Sequence, residues 1–161
     1  MPREPKQEPF SLTKGDAGVT EQDGLDAAAL ATEFGKIFEY HVPVGLGLII
    51  LAGHTFSLYL YGDDSAEMPA TTLVKVKVLD ASKQDEKTIL GPVMYATLKE
   101  FTDRDKIARF NLPEPVKVYE NQYLIIEVAG ADATGTGGVD VTGGTNESYF
   151  EAAISRVRQP L

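Results

Sequence analysis

The only two histidines of the chain, His41 and His54, flank its most apolar run, and Glu39 lies on the same strand face as His41 if side chains alternate. Imidazole and carboxylate groups brought together in this way can bind a transition metal ion. However, the sequence contains no His-x-His pair. We therefore assign both histidines to strand ends and turns, and we predict no metal site and no cofactor.

Acidic residues occur in pairs in three turn-like segments, which raises the question of calcium. Calcium takes about six to eight oxygen ligands from such loops, yet no segment has the spacing of an EF-hand. We interpret these segments as solvated turns, and binding of a structural calcium ion is the alternative. The acidic pairs are Asp63 with Asp64, Asp103 with Asp105, and Asp132 with Asp140.

Strand carboxylates could also serve glycoside hydrolysis, which uses two facing acidic side chains. Glu100, Glu127 and Glu151 are candidates, but nothing in their surroundings singles out a pair. The chain contains no cysteine and no serine in a G-x-S-x-G context. We therefore predict that the protein is not an enzyme and has no catalytic residues.

The apolar run at residues 42–53, VPVGLGLIILAG, has three alternative interpretations. It is too short for a membrane helix, which needs about 20 mostly apolar residues. Its glycines lack the spacing of a dinucleotide-binding loop, and no Gly-Lys-Ser/Thr follows them. We expect a central core strand or a strand at a subunit contact.

Composition narrows the possible partners. The formal net charge of −9 over 161 residues argues against a nucleic-acid-binding groove. We predict no contact with nucleic acid or membrane. The polar, proline-interrupted start of the chain has no apolar segment of the kind that marks a secretory signal, so we expect no export by that route.

From residue 36 onward, apolar and polar residues alternate with a period of two. The clearest case is TTLVKVKVLD at residues 71–80, where Val74, Val76 and Val78 face one side, while Lys75 and Lys77 face solvent on the other. We predict about eight strands and no helical crossover, hence an all-β fold: an antiparallel β-sandwich, jelly-roll-like, over residues 36–161.

Two other segments are too polar to form a core by themselves. Residues 1–35 are expected to be an extended N-terminal arm with a short helix at 25–34, and residues 131–146 an exposed loop rich in glycine and threonine. A neighbouring subunit is the expected partner of both. The apolar residues predicted to make these contacts are Phe10, Leu12, Leu25, Leu30, Phe34, Val139 and Val141.

The layout of an arm, a series of strands joined by acidic turns and a Gly/Thr-rich loop resembles small β-sandwich capsid-associated proteins of double-stranded DNA viruses. The resemblance lies in FEYHVPVGLGLIILAGHTFSLYLYGDD, MPATTLVKVKVLDAS and LGPVMYATLKEFTDRDKIARFNLPEPVKVYENQYLIIEVAG. It implies a decoration, cement or minor capsid protein on the outer surface of the virion, made in the host cytoplasm. It also implies a homo-oligomer, with a trimer favoured, bound to a major capsid protein.

A second class of function stays open, that of a carbohydrate-binding or adhesive β-sandwich module. Such modules present exposed aromatic rings to sugars. Tyr59 and Tyr61, which alternate with apolar residues in TFSLYLYG, are the candidate platform. The absence of tryptophan weakens this alternative.

Overall fold

The structure is a computed structural model of the 161-residue chain. It describes residues 6–13, 15–16, 18–21, 34–62, 68, 71–100, 108–112, 114–129, 139–140 and 148–158. The elements in chain order are β1 (Lys6–Thr13), β2 (Val19–Glu21), β3 (Gly35–His41), β4 (Leu48–Tyr59), β5 (Tyr61–Gly62), β6 (Leu73–Leu79), β7 (Glu86–Met94), α1 (Tyr95–Glu100), β8 (Ala108–Asn111), β9 (Val116–Tyr119), β10 (Tyr123–Ala129), β11 (Val139–Asp140) and β12 (Tyr149–Arg158).

The strands form two five-stranded antiparallel sheets. The first sheet has the order β1-β12-β4-β8, and β9 pairs with β4 on the same side as β8. The second sheet has the order β2-β3-β10-β6-β7. A two-stranded ribbon, β11-β5, continues beyond the end of β4. The predicted all-β antiparallel sandwich is therefore confirmed.

The path of the chain between the sheets is that of a jelly roll. Successive strands pass from one sheet to the other except at β2–β3, β6–β7 and β8–β9, where two strands in succession belong to the same sheet. Strand β1 pairs with β12, with Lys6 opposite Arg158 and Thr13 opposite Glu151. Setting aside the two-residue β5 and β11, and counting β2 with β3 and β8 with β9, leaves eight principal strands among the described residues. Such a fold has two sheets and a single core between them.

Alternation of side chains along each strand builds this core. Val74 and Val76 of β6 and Ile126 and Val128 of β10 point inward and are almost fully buried. The facing sheet contributes inward residues in the same way, and the rings of Phe38 and Phe150 meet between the sheets at 5.3 Å. Its fully buried residues include Leu12, Ile49, Leu51, Leu58, Val118 and Ala152.

The apolar run at residues 42–53 is not one continuous strand. Val42 is buried, the chain then turns through Pro43 to Leu46, and Val44 at the tip of this turn is 71% exposed. The segment from Leu48 enters β4, which lies between β12 on one side and β8 and β9 on the other. The central-strand interpretation is therefore correct for the second half of the run.

The predicted boundary at residue 36 differs from the structure. Strand β1 is an edge strand of the first sheet, and β2 is an edge strand of the second sheet, so these parts of the predicted arm belong to the sandwich. Pairing with β12 and burial of Leu12 provide the physical reason. The predicted helix at 25–34 lies outside the described residues, except for Phe34, which is not helical.

Residues 95–100 are an exception to the strand pattern predicted from residue 36 onward. They form the short helix α1, which begins directly after β7. No helix in the part of the chain that the structure describes has the length and apolar character needed to cross a membrane.

Candidate functional site

The outward face of the second sheet carries a cluster of four charged side chains, Lys75, Lys77, Glu86 and Glu127, which we call the ion network. Lys77 Nζ lies 2.6 Å from Glu127 Oε1 and 2.9 Å from Glu86 Oε2. Lys75 Nζ lies 3.1 Å from Glu127 Oε2. Lys77 and Glu127 are only 9% and 8% exposed, so the prediction that both lysines face solvent is wrong for Lys77. Paired opposite charges allow this burial.

The ion network shifts the proton affinity of its members. Burial acts to lower the pKa of Lys77, but hydrogen bonds to Glu127 and Glu86 outweigh it, and the pKa is raised above its usual 10.5. The hydrogen bond from Lys77 holds the pKa of Glu86 below its usual 4.5. Both groups are therefore charged at neutral pH.

Ile125 lies on this same outward face and is nevertheless only 2% exposed. It stands opposite Glu39 of β3 on one side and Lys77 of β6 on the other. Glu39 accepts hydrogen bonds from Lys36 Nζ at 2.8 Å and Lys83 Nζ at 3.2 Å. Burial acts to raise the pKa of Glu39, but these two bonds lower it overall. Ile125 is therefore covered by other parts of its own chain.

A second polar arrangement supports the point where β4 gives way to β5. The N–H of Leu60, between the two strands, donates to Tyr95 Oη at 3.1 Å, and the carbonyl of Leu60 accepts from Met68 N at 2.8 Å. Ser148 Oγ accepts from Tyr61 N at 3.0 Å and donates to Tyr61 O at 3.3 Å. The strand that pairs with this segment changes from β12 to β11 here, and the side chains of Tyr95 and Ser148 bond the backbone groups that have no neighbouring strand.

We expect Tyr95→Phe to lower the free energy of unfolding by about 1–2 kcal/mol, because it removes the hydroxyl that accepts the buried Leu60 N–H and preserves the ring. Urea unfolding followed by circular dichroism measures this change. The matched control is Tyr119→Phe at a half-exposed position, where we expect a change within about 0.5 kcal/mol. Equal stability of Tyr95→Phe and the wild type would contradict the assigned role of the hydroxyl.

The rings of Tyr59 and Tyr61, the predicted glycan platform, stack on each other. Their centroids lie 4.7 Å apart with 24° between the planes. Both residues are half-buried. The rings therefore cover each other instead of lying side by side as a flat surface, and binding of sugars there stays a prediction.

The predicted partner contacts near the start of the chain lie mostly against the chain itself. Leu12 is 0% exposed in the core, so its prediction as a partner contact is wrong, because alternate residues of an edge strand still point inward. Phe10 is half-buried, with the guanidinium of Arg156 4.2 Å from its ring centroid. Phe34 is half-buried, with Lys75 Nζ 4.5 Å from its ring centroid.

The remaining predicted contacts stay predictions. Val139 lies in β11 opposite Gly62 of β5. Leu25, Leu30 and Val141 lie outside the described residues.

The two histidines lie on strands of different sheets. His41 ends β3 and stacks on Tyr123 with centroids 4.6 Å apart, whereas His54 lies within β4 opposite Asn111 of β8. Within the ranges described above, no three metal-ligating side chains are grouped together. Of the acidic turn residues, Asp140 lies in β11, and the other five lie outside the described ranges.

The turns at one end of the sandwich hold each other in place. Gly45 N donates to Glu120 Oε2 at 2.9 Å, and Glu120 N donates to the Gly47 carbonyl at 3.0 Å. This brings the exposed Val44 to the same end as Tyr119, which is 51% exposed. Val44 and Tyr119 are thus two exposed apolar side chains at one end of the sandwich.

Beside these turns lies a cleft of about 530 Å³ between the edges of the two sheets. Val78 and Val116 contribute apolar surface to it, and the lining includes the acidic residues Asp80, Asp85, Glu86 and Glu114 and the basic residues Lys87 and Lys117. The hydrogen bond from Ser82 is the main cause that lowers the pKa of Asp80. The cleft therefore carries an excess of negative charge, and we call it the acidic cleft.

The sequence analysis did not identify the acidic cleft or the ion network. The signal for the ion network is a single acidic residue, Glu127, in the apolar strand YLIIEVA, together with two lysines in LVKVKVL. A charge in a strand buried on both faces needs a partner of opposite sign. The acidic cleft has no such signal, because its residues come from separate turns and strands.

Comparison with known proteins identifies a fold and no family. No protein-family model matches the sequence, and a search of curated proteins finds no match. Among solved structures, VP17, a capsid protein of bacteriophage P23-77, resembles this chain with a TM-score of 0.55 at 10% sequence identity. The likeness covers 97% of this chain and 98% of that chain. The chain thus shares the fold of a phage capsid protein from end to end.

Proposed function

We propose that the protein is a non-enzymatic structural component of a virion, a decoration, cement or minor capsid protein. The observation that supports it is the likeness of fold to a phage capsid protein over nearly the whole length of both chains. Jelly rolls serve many functions. The likeness to a capsid protein is the observation that favours a role in the virion over those other functions.

The charge and the surfaces of the sandwich agree with this role. The acidic cleft and the exposed Val44 and Tyr119 lie at one end of the sandwich, where they are available for contacts. In this proposal the protein forms a homo-oligomer, with a trimer favoured, and binds a major capsid protein on the outer surface of the shell after synthesis in the host cytoplasm.

Within the predicted arm, the apolar contacts with a neighbouring subunit are here proposed for residues 22–33. This segment carries Leu25 and Leu30, and it joins β2 to β3, whose paired residues include Glu21 and Phe38. Val139 and Val141 are proposed as further contacts on the Gly/Thr-rich segment.

The proposal is tested by mass spectrometry of purified virus particles from a culture that carries the gene. We expect the protein in a fixed ratio to the other shell proteins. Its absence from particles, or its presence only in traces that vary between preparations, would refute a structural role.

A variant in which a short Gly/Ser loop replaces residues 22–33 tests the contribution of that segment. Strands β2 and β3 are antiparallel neighbours, so a short loop can join them. We expect a folded protein that is lost from particles. Removal of residues 1–35 is not an equivalent test, because it also removes β1 and the core residue Leu12.

A further inference from the structure

The first sheet has one edge with an excess of positive charge. Lys6 and Arg158 stand opposite each other where β1 begins and β12 ends, and Arg156 follows on the same side. These three cations share one carboxylate, that of Glu8, at 3.9 Å, 3.1 Å and 3.6 Å respectively. The side chains of Lys6 and Arg158 are 79% and 57% exposed. We call this the basic edge.

The acidic cleft lies at the opposite edge of the same sheet. The order β1-β12-β4 with β9 beyond β4 puts β9 three strand spacings from β1, or about 14 Å. The lining contains two lysines and four carboxylates, of which Glu86 is paired with Lys77 in the ion network, so Asp80, Asp85 and Glu114 supply the excess negative charge. Asp85 and Glu114 are exposed. One subunit therefore presents opposite charges at its two edges.

The two edges also lie at the same level along the strands. A single cross-strand row runs from Gln7 through Val157 and Leu48 to Tyr119. The basic edge stands at one end of this row, and Tyr119, which also lines the acidic cleft, stands at the other. A second copy displaced along the row would bring its basic edge to this cleft.

Strand directions permit that contact. Strand β1 is antiparallel to β12, β12 is antiparallel to β4, and β4 is antiparallel to β9, so β1 of a displaced copy would run antiparallel to β9. Pro9 in the middle of β1 has no N–H and limits a continuous ladder at this edge. The contact is therefore centred on the charged start of β1.

We propose that copies of this chain associate head to tail, with the basic edge of one copy in the acidic cleft of the next. Such a contact uses two different surfaces, so it forms a ring when the rotation between copies closes and an extended array when it does not. This inference deepens the proposed structural role and rests on it for its biological meaning.

Two charge-reversed variants of the full chain test the contact. Lys6→Glu with Arg158→Glu makes the basic edge acidic, and Asp85→Lys with Glu114→Lys makes the cleft basic. We expect the self-association constant of each variant alone to weaken about tenfold or more, because like charges then meet. A mixture of both variants should recover it, since each edge again meets a cleft of opposite charge.

Native mass measurement and analytical ultracentrifugation at low salt give the readout, and association of the wild type should weaken as salt screens the charges. The control, Thr20→Glu with Thr71→Glu, adds negative charge at exposed positions outside both surfaces and should associate as the wild type does. Circular dichroism checks that every variant folds.

A wild type that stays monomeric at low salt would overturn the proposal, as would reversed variants that associate normally or a mixture that fails to recover. These measurements use purified protein alone. Absence from virus particles would therefore refute the structural role and leave the association measurements unchanged. Failure of the charge reversal would refute head-to-tail association and leave incorporation into particles unaffected.

Discussion

Gly91→Ala is expected to lower the free energy of unfolding by about 3–5 kcal/mol, the largest effect of any single added methyl group that we foresee. Gly91 has a φ of +86°, and a Cβ at this position would lie 2.3 Å from the carbonyl oxygen of Val74 on the neighbouring strand. Residues 91 and 92 of β7 together oppose one residue of β6, since Val74 pairs with Val93 and Val76 with Leu90. The bulge therefore has no room for a side chain.

Gly45→Ala is the matched control. Gly45 has nearly the same φ, +85°, but nothing lies within 4 Å of its added Cβ. We expect a loss of about 1 kcal/mol from the backbone conformation alone. Denaturant unfolding of both variants separates the cost of the backbone conformation from the cost of the steric clash with Val74. Equal losses of stability would show that the sheet shifts to accept the methyl group at Gly91.

Glu127→Ala is expected to cost about 3–5 kcal/mol, because it leaves Lys75 and Lys77 without their nearest carboxylate. Among the carboxylates that the structure describes, Lys77 then keeps Glu86, on the more exposed side of the ion network. Thermal and urea unfolding measure the loss. The control Glu114→Ala removes an exposed carboxylate and should change stability by less than about 0.5 kcal/mol.

A double variant separates charge from volume. Glu127→Leu with Lys77→Met removes both members of the closest pair and fills their space with apolar atoms. Because the penalty of Glu127→Ala comes from uncompensated charge, we expect the double variant to be more stable than Glu127→Ala. The opposite order would show that packing around Glu127, and not its charge, determines stability.

The strands of the second sheet could be predicted from sequence because their pattern is local. In β6, valines alternate with lysines, and the inward Val74 and Val76 are fully buried as expected. The order of the strands could not be predicted in the same way. It depends on pairings such as that of Lys6 with Arg158, and no local pattern encodes a partner so far along the chain.

Strand β1 was missed because its sequence, KQEPFSLT, is polar and contains proline. Only Leu12 is fully buried, and the rest of the strand is held at the sheet edge by β12. Tertiary pairing here overrides local propensity, as is common for edge strands. The ion network was missed for a related reason, since alternation alone cannot distinguish a lysine in solvent from a lysine that meets Glu127 on the next strand.

The pairing of the first strand with the last has a consequence for the order of folding. Strand β12 lies between β1 and β4, so the first sheet is incomplete until the C-terminal part of the chain has left the ribosome. Until then, β1 has no partner, and the inward residues of β4 lack one of their neighbours. Long-range pairings of this kind slow folding and keep apolar edges exposed to other chains during synthesis. The pairing of β12 with β1 and β4 therefore also covers strand edges that stay exposed during synthesis.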